Sequence, residues 1–402
     1  MLRHLFKLIW NRKRANGLLI VEIFFSFVVL FGVGAVLLRF GQNYRTPLGF
    51  DSDQVWRLTI AAPNNQTMPR AHLDEVLRQV KALPGVQAVA LTSGNLPFTF
   101  STNNSQFHYG TRFVQSGNFY DADDSYARVL GLKLREGRWF QSSDDATNRR
   151  PVVITQDIRE KLFGSGPALG KVFHYGDSDK TMGTIAPIDD YEVTGVVDNV
   201  RMDNDFSAAM PSVWKRLVPY DTTHWESANV LMHVAPGEGG ALQEKVARTV
   251  AGVTRQWTTE VRPMNADRAN KRRYTLTPVL GLVVVGAFLI LNVALGLFGV
   301  LWYNISQRRA EIGLRRAMGA TGAAITQQFL GEIAVVTTLG VGLGVLLAVQ
   351  FPLLGAFDMP GSLYAAAIGV AVALVYGITG VCAWQPSRLA AGIQPAVALR
   401  EE

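Results

Sequence analysis

The sequence has 402 residues, of which 48% are hydrophobic and only 18% are charged, with a net charge of +7. This composition excludes intrinsic disorder, collagen and coiled coils, because each of them needs more charge or a short repeat. It also excludes a disulfide scaffold, since Cys382 is the single cysteine.

The first apolar run indicates a membrane anchor near the N-terminal end. The apolar run covers residues 17–38, close to the roughly 20 residues that a spanning helix needs, and includes one ionisable residue, Glu22; the predicted span is 17–39. The run is too long for a signal peptide and no clear small-residue cleavage site follows it, so we expect an uncleaved transmembrane helix. The apolar residues of segment 1–16 fall on one side of a helix, which predicts an amphipathic helix on the cytoplasmic membrane surface.

Residues 40–275 have the mixed charges and short periodic segments of a water-exposed domain. Alternation and helical spacing predict a strand, a helix and a strand near each end of this stretch. The predicted elements are 55–62, 69–83 and 86–92 in the first unit, and 229–234, 239–250 and 258–262 in the second. Two such β-α-β units can pair into one split α/β layer. The residues between them, about 118–218, would then form an inserted subdomain that is mostly β.

Three further apolar runs predict three more transmembrane helices, at residues 276–304, 325–351 and 362–384. A short helix at 305–322 and a tail at 385–402 lie outside these spans. Four runs of this length make a wholly soluble protein with buried core helices a poor explanation. The fold class that we expect is a membrane protein with four transmembrane α-helices and a large α/β domain outside the bilayer.

Charge placement predicts the orientation. The segments 1–16, 305–322 and 385–402 hold eleven basic residues and three acidic ones, whereas the large domain is nearly neutral. The positive-inside rule therefore puts both termini in the cytoplasm and the large domain on the outer side of the membrane. The basic run Lys271-Arg272-Arg273 is an exception to this pattern, because it precedes the second span on the predicted outer side of the membrane. The high isoelectric point thus reflects topology, and we expect no nucleic-acid partner.

Two acidic residues inside the spans, Glu22 and Glu332, are candidate functional residues, because a carboxylate in lipid is costly and usually finds a partner. Arg14 and Arg316 are the expected partners at the inner surface. Water access at the level of the lipid headgroups explains the two carboxylates equally well. Glycine pairs in the last two spans, Gly340 with Gly344 and Gly377 with Gly380, predict faces that pack against the helix bundle.

Chemical motifs give no catalytic, cofactor-binding or metal-binding residues. The histidines have no HxxxH or HExxH spacing, and no G-x-S-x-G sequence occurs. The segment 162–171 approaches a phosphate-binding loop, but Ser165 and Val172 stand where that motif needs glycine and a hydroxyl residue.

Several phrases resemble one known family. Residues 306–321 read SQRRAEIGLRRAMGAT, and the chain ends with a P-x-R-x-A phrase at 386–390 followed by PAVALR at 395–400. Within the large domain, the phrases at 126–139, 162–171 and 191–201 add to the likeness. Together they resemble an ABC transporter permease of the MacB/FtsX type with a MacB-like periplasmic core domain.

This resemblance implies a permease that dimerises, with itself or with a second permease, on two copies of a cytoplasmic ABC ATPase. The partner ATPase would bind ATP and magnesium, so this chain would be no enzyme and would hold no cofactor. About 16 residues precede the first span, so we expect the ATPase on a separate polypeptide. The resemblance assigns ATPase coupling to the segment 305–322, with Arg308, Arg309, Glu311, Arg315, Arg316 and Gly319 as its candidate residues.

Three functions remain open from the sequence. The first is mechanotransmission in an exporter of periplasmic substrates, with a periplasmic adaptor and an outer-membrane duct as further partners. The second is a permease that extracts lipoproteins. The third is a non-transporting regulator of cell-wall hydrolases, although such regulators usually have a smaller outer domain.

Overall fold

The computed structural model describes residues 13–63, 67–100, 103–146, 149–175, 190–217, 225–254, 257–355 and 359–391. The chain divides into two compact units. The membrane unit comprises Met1–Gln42 and Leu276–Glu402, and the extramembrane domain comprises Asn43–Thr275. Most of the predicted amphipathic helix 1–16, and most of the tail 385–402, lie outside the described residues.

The described elements alternate between helices and strands only in the extramembrane domain. The helices are α1 (Lys13–Arg45), α2 (Arg70–Lys81), α3 (Tyr126–Val129), α4 (Gln156–Phe163), α5 (Gly240–Thr254), α6 (Met264–Gln307), α7 (Arg309–Ala317), α8 (Gly322–Ala348), α9 (Gln350–Leu353) and α10 (Gly361–Ala391). The strands are β1 (Val55–Ala61), β2 (Val86–Gly94), β3 (Asn104–Tyr109), β4 (Arg112–Ala122), β5 (Leu134–Gly137), β6 (Arg150–Thr155), β7 (Val172–Tyr175), β8 (Asp190–Val197), β9 (Ser212–Arg216), β10 (Ser227–Val234) and β11 (Thr258–Pro263).

The two predicted β-α-β units form one interleaved layer, as the sequence indicated. Strand β1 lies between β11 and β10, and β10 pairs in turn with β2, all antiparallel. Helix α2 turns Leu73, Val76 and Val80 into the core at helical spacing, and α5 shares that core. The strands of this layer bury about every second residue in the same core, and the helices bury apolar residues about every 3.6 positions. These two periods are visible in the sequence, so the sequence predicts both kinds of element here.

The inserted subdomain is mostly β, and its strands close into a ring. Strands β4, β3, β7, β8, β6 and β9 pair in that order, and β9 also pairs with β4. The predicted start near residue 118 is wrong, because the hairpin β3–β4 already begins at Asn104. Both hairpin strands carry many polar residues, so their alternation is weak. Helix α4 was also missed, since its eight residues make only two turns.

In the part of the chain that the structure describes, four helices are long and apolar enough to cross a bilayer: Gly17–Arg45, Met264–Gln307, Gly322–Leu353 and Gly361–Leu389. The glycine prediction is confirmed for α8, because a side chain at Gly340 would meet Ile23 and one at Gly344 would meet Phe27. The last two spans, α8 and α10, pack against each other as predicted. Gly377 and Gly380 do not form part of that contact, because both are exposed and no described atom lies within 4 Å of the position of a Cβ.

Two helix bounds differ from the predicted ones. The segment predicted as one coupling helix at 305–322 contains the end of α6 and the separate helix α7, with Arg308 between them at φ −110° and ψ 16°. Helix α10 continues through Pro386 to Ala391, beyond the predicted end at 384. The Thr326 hydroxyl of α8 donates a hydrogen bond to the Ser387 carbonyl, which holds this extension against α8.

Candidate coupling site and junction cluster

Helix α7 is short because its sequence supplies a stop signal. After Ala317 the chain turns at Gly319, whose φ of +99° disfavours residues with a side chain. The Gly319 N–H donates to the Arg316 carbonyl and the Ala320 N–H donates to the Arg315 carbonyl, a pairing that satisfies the open carbonyls of a helix end. Thr321 then caps α8 through a hydrogen bond from the Ala324 N–H.

Arg308, between α6 and α7, binds the intramembrane carboxylate of Glu332 on α8. Its Nη1 donates to both carboxylate oxygens at 3.1 Å, and its guanidinium lies over the Phe329 ring at 5.9 Å. The Arg308 side chain is 9% exposed and that of Glu332 is 18% exposed. The sequence suggested Arg14 or Arg316 as the partner at the inner surface, whereas the structure shows Arg308 bound to Glu332, because the break after α6 turns this residue towards α8.

A chain of hydrogen bonds extends this ion pair along α7. Gln328 Nε2 donates to Glu332 at 3.1 Å, and Arg315 Nη1 donates to Gln328 Oε1 at 2.5 Å. The other Arg315 nitrogen, Nη2, donates to Glu311 at 2.5 Å. We call Arg308, Glu311, Arg315, Gln328 and Glu332 the coupling network. Its Glu311 end is half-exposed, with 48% of the side chain accessible, whereas its Arg308 end is buried.

The other predicted coupling residues lie around this network. Arg316 is half-buried and Gly319 is exposed in the turn after α7. The Arg309 side chain lies outside the described residues. The structure joins Arg308 to Arg315 and Glu311 through Glu332 and Gln328 of α8. Gln328 was missed as a member, and its position four residues before Glu332 was the signal available.

Glu22 is half-buried in α1 and faces Gly296 of α6. A Cβ at position 296 would lie 2.8 Å from each Glu22 carboxylate oxygen, so glycine provides the room for this carboxylate. Within the described residues Glu22 has no ion-pair partner. The side chain of its expected partner, Arg14, lies outside them.

A second set of charges lies inside the extramembrane domain, and the sequence analysis did not select it as a site. The Asp205 carboxylate is 2% exposed and pairs with Arg268 at 2.8 Å and with Arg272 at 3.1 Å. Both arginines belong to the first turns of α6, residues 264–275. One buried carboxylate therefore fixes two successive turns of this helix.

Neighbouring bonds tie the same turns to two loops. Lys271 pairs with Asp203 at 2.8 Å and donates to the Thr99 carbonyl at 2.7 Å. The Arg201 guanidinium, which is nearly buried, donates to the carbonyls of Thr46, Pro47 and Asp205. We call Arg201, Asp203, Asp205, Arg268, Lys271 and Arg272 the junction cluster.

Asp123, next to α3, is a buried carboxylate of another kind. It accepts hydrogen bonds from the N–H groups of Leu91 and Ser125, at 2.7 and 2.9 Å. Burial raises the pKa of Asp123 to about 6, against the lowering effect of these two bonds. Among the described residues no group of His, Cys, Asp and Glu side chains is arranged to hold a metal ion.

Comparison with protein families agrees with this architecture. Residues 20–253 match the MacB-like periplasmic core domain, and residues 283–395 match the FtsX-like permease C-terminal domain. A membrane unit of four spanning helices with one large inserted domain is thus that of an ABC transporter permease. The chain belongs to the MacB/FtsX-type permeases with a MacB-like periplasmic core domain.

Curated relatives include the macrolide export ATP-binding/permease protein MacB of Chromobacterium violaceum, 29% identical over 69% of this chain and 42% of the relative. MacB of Bordetella avium is 26% identical over 88% of this chain and 55% of its own length. An uncharacterized ABC transporter permease of Bacillus subtilis, YvrN, is 25% identical over 82% of this chain and 79% of its own length. The chain thus spans about half the length of the MacB relatives it matches.

Two solved structures that are similar to this chain are extramembrane regions. The extracellular domain of the transporter YknZ has 16% identity, a TM-score of 0.35 and covers 51% of this chain and 99% of its own. The periplasmic region of MacB from Actinobacillus actinomycetemcomitans has 13% identity, a TM-score of 0.37 and covers 57% and 97%.

Proposed function

We propose that this chain is the permease subunit of an ATP-driven exporter and that it carries movement from a cytoplasmic ATPase to its periplasmic domain. The observation that supports this proposal is the continuity of α6. One helix of 44 residues begins at the junction cluster and ends one residue before Arg308 of the coupling network. A helix with firm attachments at both ends transmits displacement, because its backbone hydrogen bonds resist stretching.

In this mechanism the chain performs no chemistry. The partner ATPase, in two copies, binds ATP and magnesium and docks against α7 on the cytoplasmic side. Two permease subunits, identical or different, move together. The junction cluster passes the displacement of α6 to the loops at 46–47 and 201–205, and thus to the periplasmic domain. A periplasmic adaptor and an outer-membrane duct would receive the substrate, and both termini would be cytoplasmic.

A distance measurement tests the movement. The single cysteine allows a clean background, Cys382→Ser, in which Thr111→Cys at the tip of the β3–β4 hairpin carries a nitroxide label. The label-to-label distance across the permease pair is measured in the assembled complex, without nucleotide and with ATP trapped by vanadate. We expect a nucleotide-dependent change in this distance. An unchanged distance distribution in a complex that still hydrolyses ATP would refute mechanotransmission.

The substrate decides between export and the two related functions. ATPase stimulation by a soluble periplasmic compound supports export. Stimulation by a lipid-modified protein supports lipoprotein extraction, and activation of a cell-wall hydrolase without transport supports the regulator.

A further inference from the structure

Two large aromatic side chains lie exposed and in contact on the extramembrane domain. Phe100 is 61% exposed and Tyr274 is 68% exposed, and their ring centroids are 4.8 Å apart in an edge-to-face arrangement. The Lys271 ammonium lies 4.4 Å from the centre of the Phe100 ring. We call Phe100 and Tyr274 the aromatic patch. An exposed apolar patch of this kind commonly marks an interaction surface.

The loop that carries Phe100 is held in a strained conformation. Phe98 has a φ of +59°, and it is the only residue other than glycine with a positive φ in the described part of the chain. Such a backbone persists only where its surroundings enforce it. The buried Phe98 ring, its N–H bond to the Met202 carbonyl at 2.7 Å and the Lys271 bond to the Thr99 carbonyl supply that enforcement. The loop is therefore fixed with Phe100 pointing out.

The position of Tyr274 in α6 indicates what the patch meets. Tyr274 and the exposed Trp302 are 28 residues apart in this helix, with no charged residue between them. At 1.5 Å per residue the separation is about 42 Å. A bilayer with its headgroup regions is about 40–45 Å thick, and Tyr and Trp are enriched at its two interfaces. Tyr274 thus fits the outer interface when Trp302 and its neighbour Tyr303 lie at the inner one.

We propose that the aromatic patch inserts into the headgroup region of the outer leaflet, so that the 96–100 loop is a lipid-contacting element of the periplasmic domain. Phe100 shares the level of Tyr274 because the two rings touch. The partner is a phospholipid surface. Continuity with the span favours lipid over protein, because the patch begins two residues before the first leucine of the apolar run, Leu276. The proposed lipid contact of the aromatic patch does not depend on whether the protein transports a substrate.

Collision measurements on a spin label test the proposal. Phe100→Cys is labelled in the Cys382→Ser background and the full-length protein is placed in phospholipid nanodiscs. Accessibility is measured to oxygen, which concentrates in lipid, and to a water-soluble nickel chelate. The matched control is Phe113→Cys on β4, because Phe113 is 60% exposed in the same domain. A label at Tyr274→Cys provides a second, independent reading of the patch.

We expect the ratio of oxygen to nickel accessibility at positions 100 and 274 to exceed that at 113 severalfold. Equal ratios at 100 and 113 would overturn the proposal, since the patch would then face water. Low accessibility to both reagents at position 100 would also overturn it, because a protein surface, such as a second permease, would then cover the patch.

Discussion

The two ends of α6 carry charged networks of opposite character. In the junction cluster the central carboxylate, Asp205, is almost fully buried and pairs with two guanidinium groups. In the coupling network the burial is graded, from Arg308, which is nearly buried, to Glu311, which is half-exposed. Removing one partner of a buried pair leaves an uncompensated charge, whereas an exposed pair contributes little. The junction cluster is therefore expected to hold its end of α6 in place. The coupling network, in contrast, presents a half-exposed residue that another protein can contact.

The largest expected effect is at Asp205. Asp205→Ala removes the acceptor of charge-assisted hydrogen bonds from Arg268 and Arg272, each of which contributes about 1.5–3 kcal/mol, so we expect a loss of about 3–5 kcal/mol in the stability of the folded protein. Thermal unfolding of the detergent-solubilised permease measures it. Glu75→Gln is the control, because Glu75 pairs with Arg78 on the exposed surface of α2, where an ion pair contributes little to stability. Similar melting temperatures for the two variants would contradict the contrast between buried and exposed pairs.

Asp123 sharpens the comparison, because it is a buried carboxylate held by N–H groups and by no guanidinium among the described residues. Its pKa rises from 3.8 to about 6 on folding. The folded state then binds more protons than the unfolded state between these values, so stability falls as pH rises from about 4 to about 6. The full contribution is on the order of 3 kcal/mol. Melting of wild type and Asp123→Asn across this range should show that the variant lacks this part of the pH dependence.

An intermediate effect is expected at the buried end of the coupling network. Glu332→Gln removes the charge that Arg308 binds, and the Arg308 side chain is only 9% exposed. A hydrogen bond to a charged group contributes about 1.5–3 kcal/mol, so we expect a loss of this size. The double variant Arg308→Met with Glu332→Gln should recover part of the stability. No recovery in this double-mutant cycle would mean that the two side chains do not interact.

The periodic parts of this fold were predictable from the sequence, and the ionic contacts were not. The spacing of Leu73, Val76 and Val80 is by itself enough to predict the buried face of a helix. Asp205 and Arg268 are 63 residues apart, and only the folded chain brings them together. The one available signal was the basic run at 271–273, which lies outside the segments where the positive-inside rule predicts basic residues. Its first two members, Lys271 and Arg272, are now explained by pairs with Asp203 and Asp205.

The smallest folding effect, and the one most informative about function, is expected at Glu311. Its pair with Arg315 is four residues apart on α7 and half-exposed, so Glu311→Lys should cost only about 0.3–0.5 kcal/mol of stability. If Glu311 also meets a basic group of the ATPase, the same substitution places like charges in a desolvated contact and weakens binding by roughly 2–5 kcal/mol. We expect the second outcome, because Glu311 lies at the exposed end of the coupling network, where a partner can reach it. Co-purification of the ATPase with the variant permease, together with permease-dependent ATP turnover, measures it. Arg315→Gln serves as the control, because it breaks the same intrahelical pair without placing a positive charge at position 311. Normal co-purification and normal turnover in Glu311→Lys would show that Glu311 does no more than pair along its own helix.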